Sequence, residues 1–341
     1  MKTSFSFFCA TIFALLIAGS LFSCSNNSSS TKNPAKCNHN FIDVYGESPS
    51  CTTDGKTDGV ECSECGLVLL RQSVISALGH SYIGGVCEVC SEPQTKSEGL
   101  QYSSYGDGNC CVVTIGTCGD EYIIIPETSP EGDTVISIGK DAFRNTSING
   151  ISLPDTLSEI GEAAFWGCNI KEAILPKNLK NIGDYAFCLS KLKTVSFNES
   201  LERVGISAFA NTLLEEIHLP ESITELGSRA FYNCVNLETI ELKCNIKALS
   251  VATFAQNYAL KNIVLPDSIT TLSYREFEDC TSLDSITLGS NLAFIEDNTF
   301  SGCTALKTIY FNGKRSKWNA VSKPTGWDSS LIGYSVICSD N

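Results

Sequence analysis

Apolar positions in the second half of the chain recur at a spacing far longer than a helical turn or a strand pleat. Phe143, Phe165, Phe187, Phe209, Phe231, Phe254, Phe277 and Phe300 stand 22 residues apart four times, then 23 apart three times. Aligned on them, Leu153, Leu175, Phe197, Leu219, Leu242, Leu265, Leu288 and Phe311 form a second column, with Ile, Val or a single Ala two positions earlier. That i, i+2 alternation predicts a short strand with one buried face. An Ile or Leu five positions before the second column completes the unit L-x-x-I-x-L, written eight times over residues 138–311. No single unit can bury its own apolar face, so the copies must stack as a solenoid. The change from 22 to 23 falls between the position three after Phe and the next Leu, where an extra residue lengthens a loop at little cost.

The position three after Phe holds Thr146, Cys168, Ser190, Thr212, Cys234, Asn257, Cys280 and Cys303. All are small and can hydrogen-bond. Cysteine shares the column with Ser, Thr and Asn, which predicts a ladder satisfying buried turn backbone rather than a row of redox or metal-binding thiols. Before the repeats, residues 97–137 alternate and turn at Gly106-Asp107-Gly108, predicting a capping hairpin and a first strand at Tyr122–Ile125. After Phe311 the pattern breaks, and residues 312–341 read as a cap in which Trp318 and Trp327 cover the last rung. Cys110, Cys111, Cys118 and Cys338 have no partner legible in the sequence. Glu276 stands where other copies carry a small residue, which predicts looser packing at that rung.

The stretch "LPDTLSEIGEAAFWGC" and its copies resemble the BspA-like leucine-rich repeat surface proteins. The resemblance implies an α/β repeat, a right-handed leucine-rich repeat solenoid with a parallel β-sheet on the concave face. It also implies display outside the cell and adhesion to host proteins or to other cells.

The segment before the solenoid is of another kind. Residues 1–23 carry one Lys and an apolar run from Phe5 to Ala18. That run falls short of the ~20 apolar residues a membrane span needs, and it reads as an export signal. Leu21-Phe22-Ser23-Cys24 resembles a bacterial lipobox, which makes Cys24 the expected lipidation site and the membrane anchor. Residues 24–36 are too polar to bury and read as a flexible tether. Residues 37–96 form a small Cys/His-rich, zinc-ribbon-like module that precedes the solenoid. Two C-x-x-C pairs, Cys62/Cys65 and Cys87/Cys90, occur there with Cys37, His39, Cys51 and His80. Thiolate and imidazole suit tetrahedral Zn(II). One structural site would use Cys37, His39, Cys62 and Cys65; a second would use His80, Cys87 and Cys90, with Cys51 as a further candidate. Disulfides are the alternative in an exported chain.

The net charge of -14 disfavours nucleic acid and anionic lipid as partners. Of three His residues, two belong to the Cys-rich module and the third, His218, has no nucleophile placeable beside it. No phosphate loop or H-E-x-x-H motif is present, so the sequence points away from an enzyme and from any catalytic cofactor. Binding is expected on the outward strand positions, where Glu172, Ile174, Glu216, His218, Glu241, Val264 and Tyr310 interrupt rows of Ser and Thr. The expected partners are proteins or glycans of host or neighbouring cells, reached from a lipid anchor in the bacterial membrane at the outer surface. A structural role in the envelope, without a specific ligand, is the alternative.

Overall fold

The computed structural model describes residues 38–50, 53–77, 82–83, 86–87 and 95–340. The export signal, Cys24, the tether, Cys37, Cys51, His80 and Cys90 lie outside the described residues, and of Cys87 only the backbone is described. The chain divides into two compact units, Met1–Gly79 and His80–Asn341.

The first unit contains strands β1 (Phe41–Val44), β2 (Gly55–Lys56), β3 (Gly59–Cys62), β4 (Val68–Leu70) and β5 (Val74–Ile75). An antiparallel sheet runs in the order β1-β3-β4, and β2 pairs with β5. Leu69, Leu70 and Val74 are all exposed, so these strands gather little apolar core of their own. Small modules of that kind are held by staples.

The second unit opens with hairpin β6 (Tyr82–Ile83) and β7 (Val86–Cys87), then β8 (Gln101–Ser104) and β9 (Asn109–Thr114). The antiparallel pair β8–β9 turns through Gly106 and Gly108, both at positive φ, as the sequence leads one to expect. The strand β10 (Tyr122–Ile124) is the first member of the L-x-x-I-x-L column, and it pairs in parallel with Gly150–Ser152. From there one strand per repeat follows in register, through Thr308–Phe311. The pattern does not end there: Ser335–Cys338 adds a further parallel strand that sets Cys338 opposite Phe311. The leucine-rich repeat solenoid has about ten turns.

A second strand column, unrecognised in the sequence, closes the opposite wall. It begins with β9 and β11 (Thr134–Ile138) and continues through two-residue strands such as Glu159–Ile160, Asn181–Ile182 and Arg203–Val204. Their inner residues, Ile138, Ile160, Ile182, Val204, Leu226, Leu249, Leu272 and Ile295, are buried five positions before each Phe. This second strand and a turn take the place that a helix would fill in an α/β repeat. Among the described residues the single helix is Arg315–Ala320, in the C-terminal cap.

The Phe column is a continuous stack between the two walls. Ring centroids lie 5.1–5.4 Å apart where the repeats are 22 residues long. They lie 5.8–6.1 Å apart where the repeats are 23 long. The cause lies four residues before each Phe. Gly161, Gly183, Gly205 and Gly227 pass so close to the preceding turn that a Cβ would meet its backbone at 2.5–2.7 Å. Ser250, Ser273 and Glu296 hold this position in the longer repeats, and a side chain there needs the wider pitch. Glu276 belongs to that wide region. Its rung has the largest ring spacing, 6.1 Å, yet it is closed: Glu276 is fully buried. The expectation of looser packing agrees with that spacing, and Glu276 is nonetheless shielded from solvent.

Each Phe is flanked, two residues before and two after, by a residue at φ between +52° and +75°. Fourteen of these sixteen positions carry a side chain, in a region that costs a non-glycine residue on the order of 1 kcal/mol. Inter-repeat hydrogen bonds offset that cost. The amides of Ala163, Phe165 and Gly167 donate to the carbonyls of Asp184, Ala186 and Cys188, and the same triplet recurs from repeat to repeat.

The predicted ladder three residues after Phe is present. Cys168, Cys234, Cys280 and Cys303 donate through Sγ to the carbonyls of Phe143, Phe209, Phe254 and Phe277 at 2.9–3.3 Å. Asn257 Nδ2 donates to both Phe231 O and Phe254 O. The hydroxyl of Ser190 is the exception, buried without a partner. Burial pushes the Cys234 and Cys303 thiols up to about 12, which keeps them protonated and able to donate. No disulfide joins any two described cysteines.

Aromatic side chains close the C-terminal end as expected. Trp327 meets Phe300 edge-on at 6.2 Å, and Trp318, itself buried, packs on Phe311 at 5.5 Å. Lys323 Nζ donates to the carbonyls of Trp318 and Val321, satisfying the end of the short helix. The Arg315 guanidinium donates to Val336 O in the last strand, occupying a carbonyl of that edge.

Candidate functional site

Two places carry chemistry beyond packing: the exposed row of the L-x-x-I-x-L strands, and the His/Cys group of the first unit.

The strand register fixes the row. Alternate residues point into the stack, so Ala173, Ile217, Ile240, Ile263 and Ile309 are buried while their neighbours face outward. Glu172, Ile174, Glu216, His218, Glu241, Val264 and Tyr310 all lie on this exposed row, with Ile174 77% and Val264 59% exposed. Pairing of Glu216–Leu219 with Thr239–Leu242 sets His218 opposite Glu241. The two side chains join, His218 Nδ1 to Glu241 Oε2 at 2.8 Å, and Glu216 Oε2 lies 3.7 Å from the other ring nitrogen. Lys243 Nζ lies 3.6 Å from the other carboxylate oxygen, Glu241 Oε1. The hydrogen bond from His218, aided by Lys243, holds the Glu241 carboxyl below the usual range. Ile174, Val264 and Tyr310 are not gathered with this trio. Val264 and Tyr310 lie two rungs apart, roughly 10 Å, with Thr287 between them.

Small residues on either side of the Ile174 rung leave hollows. One, of about 290 Å³, lies over Thr194 and Ser196 and is bounded by Phe197, Glu199, Glu216 and His218. The other, of about 500 Å³, lies over Gly150 and Ser152 and is bounded by Tyr122, Lys171, Glu172 and Ile174. Sequence reading missed Tyr122 and Gly150. A Gly in a row otherwise filled by Ser, Thr, Asn and Glu, one rung after an aromatic, was the signal.

In the first unit β1 and β3 run antiparallel with Phe41 opposite Cys62, so His39, two residues before Phe41, lies beside the end of β3. The chain then reverses through Cys62-Ser63-Glu64-Cys65-Gly66. The amide of Gly66 donates to Cys62 O at 2.9 Å, that of Cys62 to Leu67 O at 2.8 Å, and Gly66 takes φ +73°. This turn brings both thiols to one side, and the ligand atoms of His39, Cys62 and Cys65 lie within 4.8 Å of one another. Cys65 Sγ is 3.4 Å from His39 Nδ1, and the His39 ring stacks on Phe41 at 5.7 Å. Three of the four residues expected for the first metal site thus come together, in an arrangement that could bind a metal. The partner expected for them, Cys37, and the second set built on His80 and Cys90 lie outside the described residues.

No helix among the described residues is long and apolar enough to cross a membrane. Comparison with known proteins identifies the repeat. The family described as BspA type leucine-rich repeat region matches residues 121–238 and 224–320, in six copies. Among solved structures, a leucine-rich repeat protein from Bacteroides ovatus is 22% identical, with 71% of this chain and 78% of that one covered and a TM-score of 0.45. The pneumococcal vaccine antigen PcpA is 15% identical over 72% of this chain and 98% of that one, TM-score 0.40. A leucine-rich repeat protein from T. pallidum is 18% identical over 71% and 99%, TM-score 0.37. No functionally curated protein matches the chain.

Proposed function

The chain belongs to the BspA-type leucine-rich repeat family, and on that footing we propose that it is a cell-surface binding protein. In this reading the exposed strand row engages a macromolecule of a host or neighbouring cell. One observation carries it. The inward positions repeat the same few residues, whereas the outward row varies and holds an exposed Ile174 two rungs from the Glu216–His218–Glu241 trio. Apolar residues standing among charged ones suit the mixed character of a protein-binding surface. Acyl chains on Cys24 would tether the protein to the outer surface, and a Zn(II) ion held by His39, Cys62 and Cys65 would staple the first unit as a structural centre. The test measures adhesion of the purified mature chain to intact host cells and to immobilised matrix proteins. A variant combining Ile174→Ser, His218→Ser and Glu241→Ser should lose at least about tenfold in affinity, since a few central residues dominate such interfaces. Unchanged adhesion by the folded variant would favour a purely structural envelope role. For the anchor, Cys24→Ala should release the protein from the membrane fraction; full retention would overturn the lipid assignment.

A further inference from the structure

The larger hollow, at the N-terminal end of the exposed row, is built around a fixed aromatic ring. A Cβ added at Gly150 would lie 2.4 and 2.5 Å from ring carbons of Tyr122. The ring therefore occupies the space above Gly150 and lines the hollow instead of standing free. Opposite it rises Ile174, the most exposed apolar residue of the row. The volume, about 500 Å³, falls within the range of ~300–1,000 Å³ typical of small-ligand sites.

The polar lining is balanced. Lys171, Lys177, Asp155 and Glu172 all line the hollow, and Lys177 is paired with Asp155 at 2.8 Å. Two ammonium groups against two carboxylates leave no net charge, so neither a cation nor an anion is favoured as the ligand. Donors and acceptors nevertheless stand side by side around an aromatic surface. A pyranose ring matches both features. Its C–H face packs on an aromatic ring, and its neighbouring hydroxyls each donate to a carboxylate or accept from an ammonium group.

We infer that the hollow between Tyr122 and Ile174 seats one ring of a neutral saccharide, so that the macromolecule recognised by this face is a glycan. The inference rests on the reading that the exposed strand row is the binding face. Titration of the full chain with cellohexaose, chitohexaose and maltohexaose, followed by saturation-transfer NMR and calorimetry, tests it. At least one hexasaccharide should bind. Tyr122→Ala and Glu172→Gln should each weaken it at least about tenfold, the loss expected for a hydrogen bond to a charged group or a buried aromatic contact. Tyr122→Phe should retain binding, and Tyr185→Ala, outside the hollow, should match the wild type. Glu172 is exposed, so its variant stays informative even if Tyr122→Ala perturbs folding. Absence of binding to all three sugars, or wild-type affinity in both hollow variants, overturns the inference. The adhesion assay on the same proteins separates the two ideas. Lost sugar binding with adhesion that still depends on Ile174, His218 and Glu241 sinks the saccharide site alone. Hollow-dependent sugar binding with indifferent adhesion supports the site and sinks the adhesive reading.

Discussion

The hydroxyl of Ser250 donates to the carbonyl oxygen of Leu226 at 2.6 Å. In the five preceding rungs a glycine amide, from Gly139 to Gly227, makes the corresponding bond at 2.7–2.8 Å. A side chain has replaced a main-chain donor without loss of the bond, and the stack has widened to admit it.

Gly205→Ala should therefore be costly in the narrow region. Its Cβ would sit 2.6 Å from the Asp184 amide nitrogen, and overpacking of this kind costs about 1–3 kcal/mol. Ser250→Ala lies in the wide region and should cost about 1–2 kcal/mol, by leaving the Leu226 carbonyl unpaired. Thermal denaturation of both variants checks the ranking.

Phe209 touches rings on both sides, at 5.3 and 5.4 Å, and Phe197 edge-on at 5.6 Å. Phe209→Ala should open a cavity costing ~3–5 kcal/mol. His218→Ala on the exposed row should stay within ~0.5 kcal/mol. Equal losses in denaturant melts would mean that the inward and outward rows have been exchanged.

Glu276 should make stability fall as pH rises. Burial pushes its carboxyl well above the usual range, the nearby amides of Phe254 and Thr253 offset only part of that, and neither oxygen makes a hydrogen bond. At low pH the folded and unfolded chains both hold the proton, and the group adds no pH dependence. Above the unfolded value, near 4.5, the unfolded chain releases its proton while the folded one keeps it. Stability then drops by up to about 1.4 kcal/mol per pH unit until the buried group itself ionises. Glu276→Gln should remove this slope, and Glu276→Ala should raise the melting temperature at neutral pH. Melts from about pH 4 to about pH 8 on wild type and variants would show whether the slope belongs to this residue.

For the first unit, a chelator should abolish ordered NMR signals from residues 38–77 while those of the solenoid persist, since a structural metal contributes folding energy directly. Cys65→Ser should lower the bound metal by one ion per chain. Native mass spectrometry reads that count, and a wild-type chain free of metal with Cys62 and Cys65 oxidised would establish the disulfide alternative.

Most of the solenoid was legible because its signal is repetition. Eight aligned Phe residues and the L-x-x-I-x-L strand announced the stack, the inward and outward rows, and the hydrogen-bonding column of Thr, Cys and Asn. The second strand column was hidden because two residues are too few to display an alternation, and Ile160 or Val204 reads equally well as loop anchor or strand. The left-handed turns were hidden for another reason: Ala163, Tyr185 and Arg229 carry no glycine signature, and bonds to the next repeat help hold them there. Of the metal group, the C-x-x-C spacing was legible, and the approach of His39 depended on the pairing of β1 with β3. The Tyr122 hollow left only Gly150, one rung after Tyr122, as its trace, and the lean of the ring that shapes it is set by no spacing.

The turn ladder also gives the molecule a direction. Every bond of the triplet runs from an amide of one repeat to a carbonyl of the next, so the peptide dipoles of this ladder add, whereas the glycine amides four residues before each Phe donate back to the preceding repeat. Cutting the array exposes, along the turn ladder, unmatched acceptors on the C-terminal piece and unmatched donors on the N-terminal piece, and the reverse along the glycine wall. Repeats can therefore be gained or lost only head to tail, and a cap suited to one end is chemically mismatched to the other.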